Sequence, residues 1–175
     1  MLERSLIFIG YRGTGKTTLG RLLARRLDCP FIDTDPVIER RAGKTIAEIF
    51  REDGEPAFRD LEETVIADYL RRGPLLLAPG GGAILRETTR KRMRRHGTVV
   101  WLTVSPETSL ARMSGDATSA TRRPELTNLP PLEEIREVLG RRLPLYRETA
   151  HLTLNTEEAS PSVLANRLLV LLKGC

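Results

Sequence analysis

Leu6-Ile7-Phe8-Ile9-Gly10-Tyr11-Arg12-Gly13-Thr14-Gly15-Lys16-Thr17 is the stretch on which the fold turns. Leu6–Ile9 reads as a buried strand. The next eight residues match G-x-x-x-x-G-K-[ST] at every fixed position. From about Lys16 to Leu27 the spacing predicts a helix. Strand, glycine loop and helix in this order build a phosphate cradle. Glycine lets the backbone curl until successive N–H groups face one point, and the helix adds the positive end of its dipole. Lys16 offers a point charge to the outer phosphates of a nucleotide, and Thr17 offers a hydroxyl to magnesium. The loop specifies a nucleotide but not a reaction.

Outward from the loop, short β-rich runs alternate with longer amphipathic stretches. Phe31–Ile32 is a brief apolar run that ends in acids. Ala47–Phe50 and Leu61–Leu70 carry helical spacing. Leu75–Ala78 reads as a strand that runs into Gly80-Gly81-Gly82, and Arg86–Arg95 as a basic helix with a solvated face. Val99–Val104 is a strand, followed by a helix start with Ser105 as N-cap and Pro106 in the first position. Leu132–Glu148 reads as a helix despite Pro144, Leu152–Leu154 as a last strand and Ser160–Leu172 as a closing, core-facing helix. Strands alternating with helices predict an α/β domain with a parallel sheet covered on both faces.

At 175 residues one domain spanning 1–175 is expected, with roughly 70% of its unfolded surface buried. Hydrophobic residues make up 40% and charged residues 29%, as in a soluble globule and unlike a disordered chain. No apolar run approaches the roughly 20 residues of a membrane helix, and Leu6–Ile9 is too short for a secretory signal. Cys29 and Cys175 supply neither a disulfide framework nor a metal cage, so the cytoplasm is the expected compartment. The net charge is +5, and all basic residues except Lys16, Lys44, Lys91 and Lys173 are arginines. Arginine forks suit small anions as well as nucleic acid. One tryptophan, three tyrosines and four phenylalanines are few for base stacking, so no nucleic-acid partner is expected.

Asp33-Thr34-Asp35 follows Phe31-Ile32. Ligands of open α/β sheets sit beyond the carboxyl ends of strands, where these two acids fall. Asp33 is placed to hold magnesium through water. Asp35 is placed to face a second substrate and accept its hydroxyl proton. An aspartate before Pro36 can instead cap a helix. His96 and His151 lie in no metal or nucleophile motif, and Cys29 reads as a buried small residue.

The loop Gly10–Thr17, Phe31-Ile32-Asp33-Thr34-Asp35, Ile46–Phe50, Gly54-Glu55-Pro56-Ala57-Phe58-Arg59 with Glu62, Gly80–Ala83, Arg123-Pro124 and Arg142–Tyr146 follow one another in a specific order. In order and spacing they resemble shikimate kinase, from about residue 5 to 170. That resemblance implies a three-layer P-loop kinase with a parallel five-stranded sheet and a mobile lid over about 113–128. It also implies a substrate-binding region over about 35–62. The implied reaction moves the γ-phosphoryl of ATP, with Mg2+, to the 3-hydroxyl of shikimate. Asp35, Arg59, Gly81 and Arg142 would bind shikimate. The arginines would take its carboxylate and Asp35 its ring hydroxyls, with Glu62 fixing Arg59. Phe50 and Phe58 would line that pocket. Gly13, Thr14, Gly15, Lys16, Thr17 and Thr18 would hold the nucleotide, with Arg112 and Pro161 flanking the adenine. Thr17 and Asp33 would serve the metal. Lys16, Asp35 and the lid's Arg123 would be catalytic, although Arg122 competes for that last role. A monomer is expected. Two other readings stay open on the residues: a gluconate or nucleotide kinase of the same architecture, and a catalytically silent nucleotide-binding regulator.

Overall fold

A computed structural model of the chain describes residues 2–115 and 129–173. Five parallel strands form one sheet: β1 (Ser5–Ile9), β2 (Phe31–Asp33), β3 (Leu76–Ala78), β4 (Gly97–Thr103) and β5 (Leu152–Asn155), in the order β2-β3-β1-β4-β5. The helices are α1 (Lys16–Leu27), α2 (Thr34–Ala42), α3 (Ile46–Glu52), α4 (Gly54–Leu70), α5 (Glu87–His96), α6 (Pro106–Ser114), α7 (Pro131–Thr149) and α8 (Pro161–Lys173). None of these helices is long and apolar enough to cross a membrane.

The central strand shows why the chain forms three layers. Side chains alternate across a strand, and both faces of β1 are apolar. Leu6 and Phe8 join Leu19, Leu23, Leu164 and Leu168 of α1 and α8 on one side. Ile7 and Ile9 join Ile66 of α4, Met93 of α5 and Tyr146 of α7 on the other. A smaller apolar cluster of Val37, Ile38, Ile46, Ile49, Phe58 and Val65 ties α2, α3 and α4 together. Its α3 begins with a reciprocal cap, in which the Thr45 side chain accepts from Glu48 N and Glu48 accepts from Thr45 N. Phe58 is fully buried here, its ring 4.8 Å from that of Phe50. Phe58 is therefore core and not the pocket wall that the resemblance implies.

The basic run forms the expected helix with Lys91, Arg94 and Arg95 exposed, and part of it also docks on backbone. Arg94 Nη1 donates to the carbonyls of Glu148, Thr149 and Ala150, where α7 ends with orphan acceptors. Arg90 donates to Ile84 O and Leu85 O, and Arg86 and Arg92 pair with Glu63 of α4. α5 thus pins α4 and α7, the helices that bring Arg59 and Arg142 to the site.

His151 closes the junction between α7 and β5. Its Nδ1 accepts from Val99 N at 2.9 Å, which requires that nitrogen to be unprotonated. Burial, then the charges of Arg94 and Arg4, hold its pKa below the ordinary histidine range. The folded chain therefore refuses a proton that the unfolded chain accepts near pH 6.5, so stability is full above that pH and falls as pH drops through it. Thermal midpoints between pH 7.5 and 5.5 should fall less in His151→Gln than in the wild type. An identical fall in both would remove His151 from the pH response.

Candidate functional site

The carboxyl ends of β1, β2 and β3 open into a cavity of about 680 Å³. Arg12, Gly13, Gly15, Lys16, Thr17, Thr18, Arg21, Asp33, Asp35, Ala78–Gly81 and Arg112 are among its walls. The phosphate loop forms one side. Gly13 has φ of +73°, and a Cβ there would sit 2.8 Å from Ser109 O, so the loop admits no side chain at this position.

Turning N–H groups inward leaves the loop's carbonyls facing outward, and each needs a donor. Lys16 Nζ donates to Gly10 O and Tyr11 O at 2.8 Å, and Thr14 Oγ1 also donates to Tyr11 O. The buried Ser109 donates to Arg12 O at 2.8 Å. Arg112 Nη1 donates to Gly13 O at 3.1 Å, and Thr156 Oγ1 donates to Thr14 O at 3.1 Å. Gly15 O receives the first helical bond, from Leu19 N. Arg112 further donates to Thr156 Oγ1 and O, joining the loop, α6 and the end of β5. Pro161 is exposed at the start of α8 and is not part of the cavity wall.

The acids after β2 combine two roles that the sequence set against each other. Asp33 Oδ1 accepts from Asp35 N at 3.2 Å and caps α2, which begins at Thr34 and not at Pro36. Its other oxygen accepts from Thr17 Oγ1 at 2.9 Å. Burial, then the charge of Asp35, push the Asp33 carboxyl above the ordinary aspartate range, against the pull of the Thr17 and Asp35 hydrogen bonds and of Lys16. A divalent cation would relieve both penalties. Among the described residues no three His, Cys, Asp or Glu side chains converge as a metal cage. One hydroxyl and one carboxylate fit Mg2+, which keeps waters and leans on substrate phosphates.

On the acceptor side, the Gly80–Gly82 turn carries the geometry. A Cβ on Gly81 would lie 3.2 Å from Gly10 O and 3.5 Å from Tyr11 Cα, so the turn rests on the phosphate loop itself. Gly81 O accepts from Tyr146 Oη at 2.6 Å and from Arg142 Nη1 at 3.4 Å. A Cβ on Gly82 would fall 2.3 Å from Arg59 Nη2. The Arg59 side chain is 8% exposed and held by Glu55 at 3.1 Å and by Glu62, which is 2% exposed, at 2.5 Å. Both arginines thus meet at one turn, although they are 83 positions apart in sequence. Neither is among the residues lining this cavity; Arg142 reaches Gly81 and Arg59 lies against Gly82.

A sequence model of the shikimate kinase family matches residues 12–173. This chain belongs to the shikimate kinase family. The shikimate kinase of Rhodopirellula baltica is 44% identical over 94% of this chain and 88% of its own length. That of Paracidovorax citrulli is 47% identical over 89% and 84%. The structure of shikimate kinase from Acinetobacter baumannii in complex with shikimate superposes with a TM-score of 0.90. It has 38% identity and covers 98% of this chain and 93% of that one.

Measured against the family expectation, the structure gathers Gly13, Gly15, Lys16, Thr17, Thr18, Asp33, Asp35, Gly81 and Arg112 around the cavity; Thr14 is buried within the loop, and Arg59 and Arg142 meet the glycine turn. Arg122, Arg123 and most of the expected lid lie outside the described residues; positions 113 and 114 end α6. Ser109 and Thr156 escaped the sequence reading, and Glu55 and Tyr146 were named there only within motifs, without a role. Glu55 precedes Arg59 by one helical turn, a spacing that could have flagged it. Tyr146 sits one turn after Arg142. Ser109 and Thr156 carried no signal, since their partners are 97 and 142 positions away. Thr156→Val would leave Thr14 O without its donor in a buried setting. It should cost about 1–3 kcal/mol in urea unfolding and raise the KM for ATP several-fold. Unchanged values for both would deny the loop its dependence on this hydroxyl.

Proposed function

We propose that this chain transfers the γ-phosphoryl group of ATP to the 3-hydroxyl of shikimate, giving shikimate 3-phosphate for aromatic amino acid synthesis. The observation that carries the reading is the meeting of two guanidinium groups at a glycine turn that itself rests on the phosphate loop. Planar forks there suit a carboxylate. Arg59 and Arg142 bind that of shikimate, and the backbone of Gly81 meets the ring closely. A nucleotide acceptor has no carboxylate to place against this pair, and a silent regulator has no use for Asp35.

ATP lies along Gly13–Thr18, with Arg112 and Pro161 toward the adenine. Asp35 orients the 3-hydroxyl and takes its proton as the oxygen forms the new P–O bond. The bond from the γ-phosphorus to the β-bridging oxygen breaks, and ADP leaves. Lys16 stabilises charge on the moving group, and the family pattern adds Arg123. Thr17 and Asp33 hold Mg2+, which neutralises phosphate charge when bound. The reading calls for no nucleic acid or membrane partner, and for a monomer working in the cytoplasm.

A coupled ADP-release assay with ATP, Mg2+ and shikimate tests this. Turnover should depend on shikimate and stay at background with gluconate or AMP. Arg142→Ala should lose at least about 100-fold in kcat/KM, mostly through KM, because two charge-assisted bonds are removed. Full activity in that variant would sink the clamp but keep the reaction. Asp35→Asn should lower kcat by about 10²–10⁴-fold. A wild-type chain inert toward shikimate would overturn the substrate.

A further inference from the structure

Arg12 occupies a position that the phosphate-loop pattern leaves open, yet it is held from three sides. Its carbonyl accepts from Ser109. Its guanidinium lies 5.6 Å from the centre of the Tyr11 ring and bonds Tyr11 Oη at 3.4 Å. Its charge is met by Glu134 at 3.5 Å, with the two side chains only 17% and 8% exposed. Both of these side-chain bonds leave from Nη2. Among the described residues, Nη1 and Nε make none, and Arg12 lines the cavity beside Lys16, Asp35 and Gly81. Half the fork is anchored while the other half is left for a ligand.

The position says which ligand group this is. A Cβ on Gly81, on the acceptor side, would lie 3.5 Å from the Cα of Tyr11, the residue before Arg12, so Arg12 starts where the two halves of the cavity meet. The adenine end is across the loop at Arg112. The carboxylate clamp is set apart, since Glu134 and Arg142 lie eight residues, or about 12 Å, apart along α7. What passes between the halves is the phosphoryl group.

We propose that Arg12, positioned by Glu134, is a third guanidinium of the site and contacts the phosphoryl group once it stands on the acceptor. This rests on the kinase reading above. The contact forms as the new P–O bond forms, so it strengthens toward product and does little for shikimate itself.

Titration calorimetry of shikimate and of shikimate 3-phosphate, each against wild type and variants, tests it. Arg12→Ala should weaken shikimate 3-phosphate by about 10- to 100-fold, the loss expected for one charge-assisted hydrogen bond, and shikimate by less than about three-fold. Arg12→Lys should recover part of the loss, because a point charge replaces a fork. Glu134→Gln should shift the same ratio in the same direction by less, and should add nothing in the double variant with Arg12→Ala. A structural tether alone would weaken both ligands equally or neither, and either result overturns the assignment. If the alanine variant unfolds, Arg12→Gln, which keeps the stem, carries the comparison. A wild-type chain that binds neither compound overturns the kinase reading, and this assignment with it.

Discussion

A loop that turns its N–H groups toward a phosphate must expose its carbonyls to the protein behind it, and buried carbonyls cannot stay unpaired. That constraint organises this molecule. From Gly10 to Gly15 each carbonyl finds a donor, and the donors come from α1, α6 and the segment after β5. The sheet order places those elements around the end of β1, the central strand. The cradle is therefore held by elements from both halves of the chain.

The acceptor side answers a different demand. A guanidinium kept from water needs its charge met, and Arg59 gets two carboxylates of its own helix, at one turn on either side. Those pairs fix the fork against a turn that has no side chain to push it away. Buried ion pairs contribute little to stability on balance, because desolvation offsets attraction. Orientation is what such an arrangement secures.

Local features were legible in the sequence and distant ones were not. The loop, α1 and the Ser105-Pro106 helix start were read to within a residue because each rests on contacts inside a short window. Asp33 was legible as an acid at a strand end. Its double service, capping α2 and accepting from Thr17, follows from one carboxylate having two oxygens. Arg59 and Arg142 were singled out by family order, since nothing in 24 arginines marks two of them. The run Arg86–Arg95 was legible as a helix with an exposed basic face, but charge alone does not reveal that a helix C-terminus lies opposite Arg94. Ser109 and Thr156 were invisible for the same reason, as their significance is set by a chain segment far away in sequence.

Helix α7 touches the phosphate loop through Ile135 and Val138 against Tyr11, and the glycine turn through Arg142 and Tyr146. It thus works as a ruler whose graduations are helical turns. Lengthening it by one residue between Val138 and Arg142 would swing every later side chain by about 100° and advance it by 1.5 Å. Arg142 and Tyr146 would then leave Gly81 together while Tyr11 kept its neighbours. Point substitutions along this segment can be absorbed by local repacking, whereas a change of length cannot. The register of α7 is thus the quantity that keeps donor and acceptor in step.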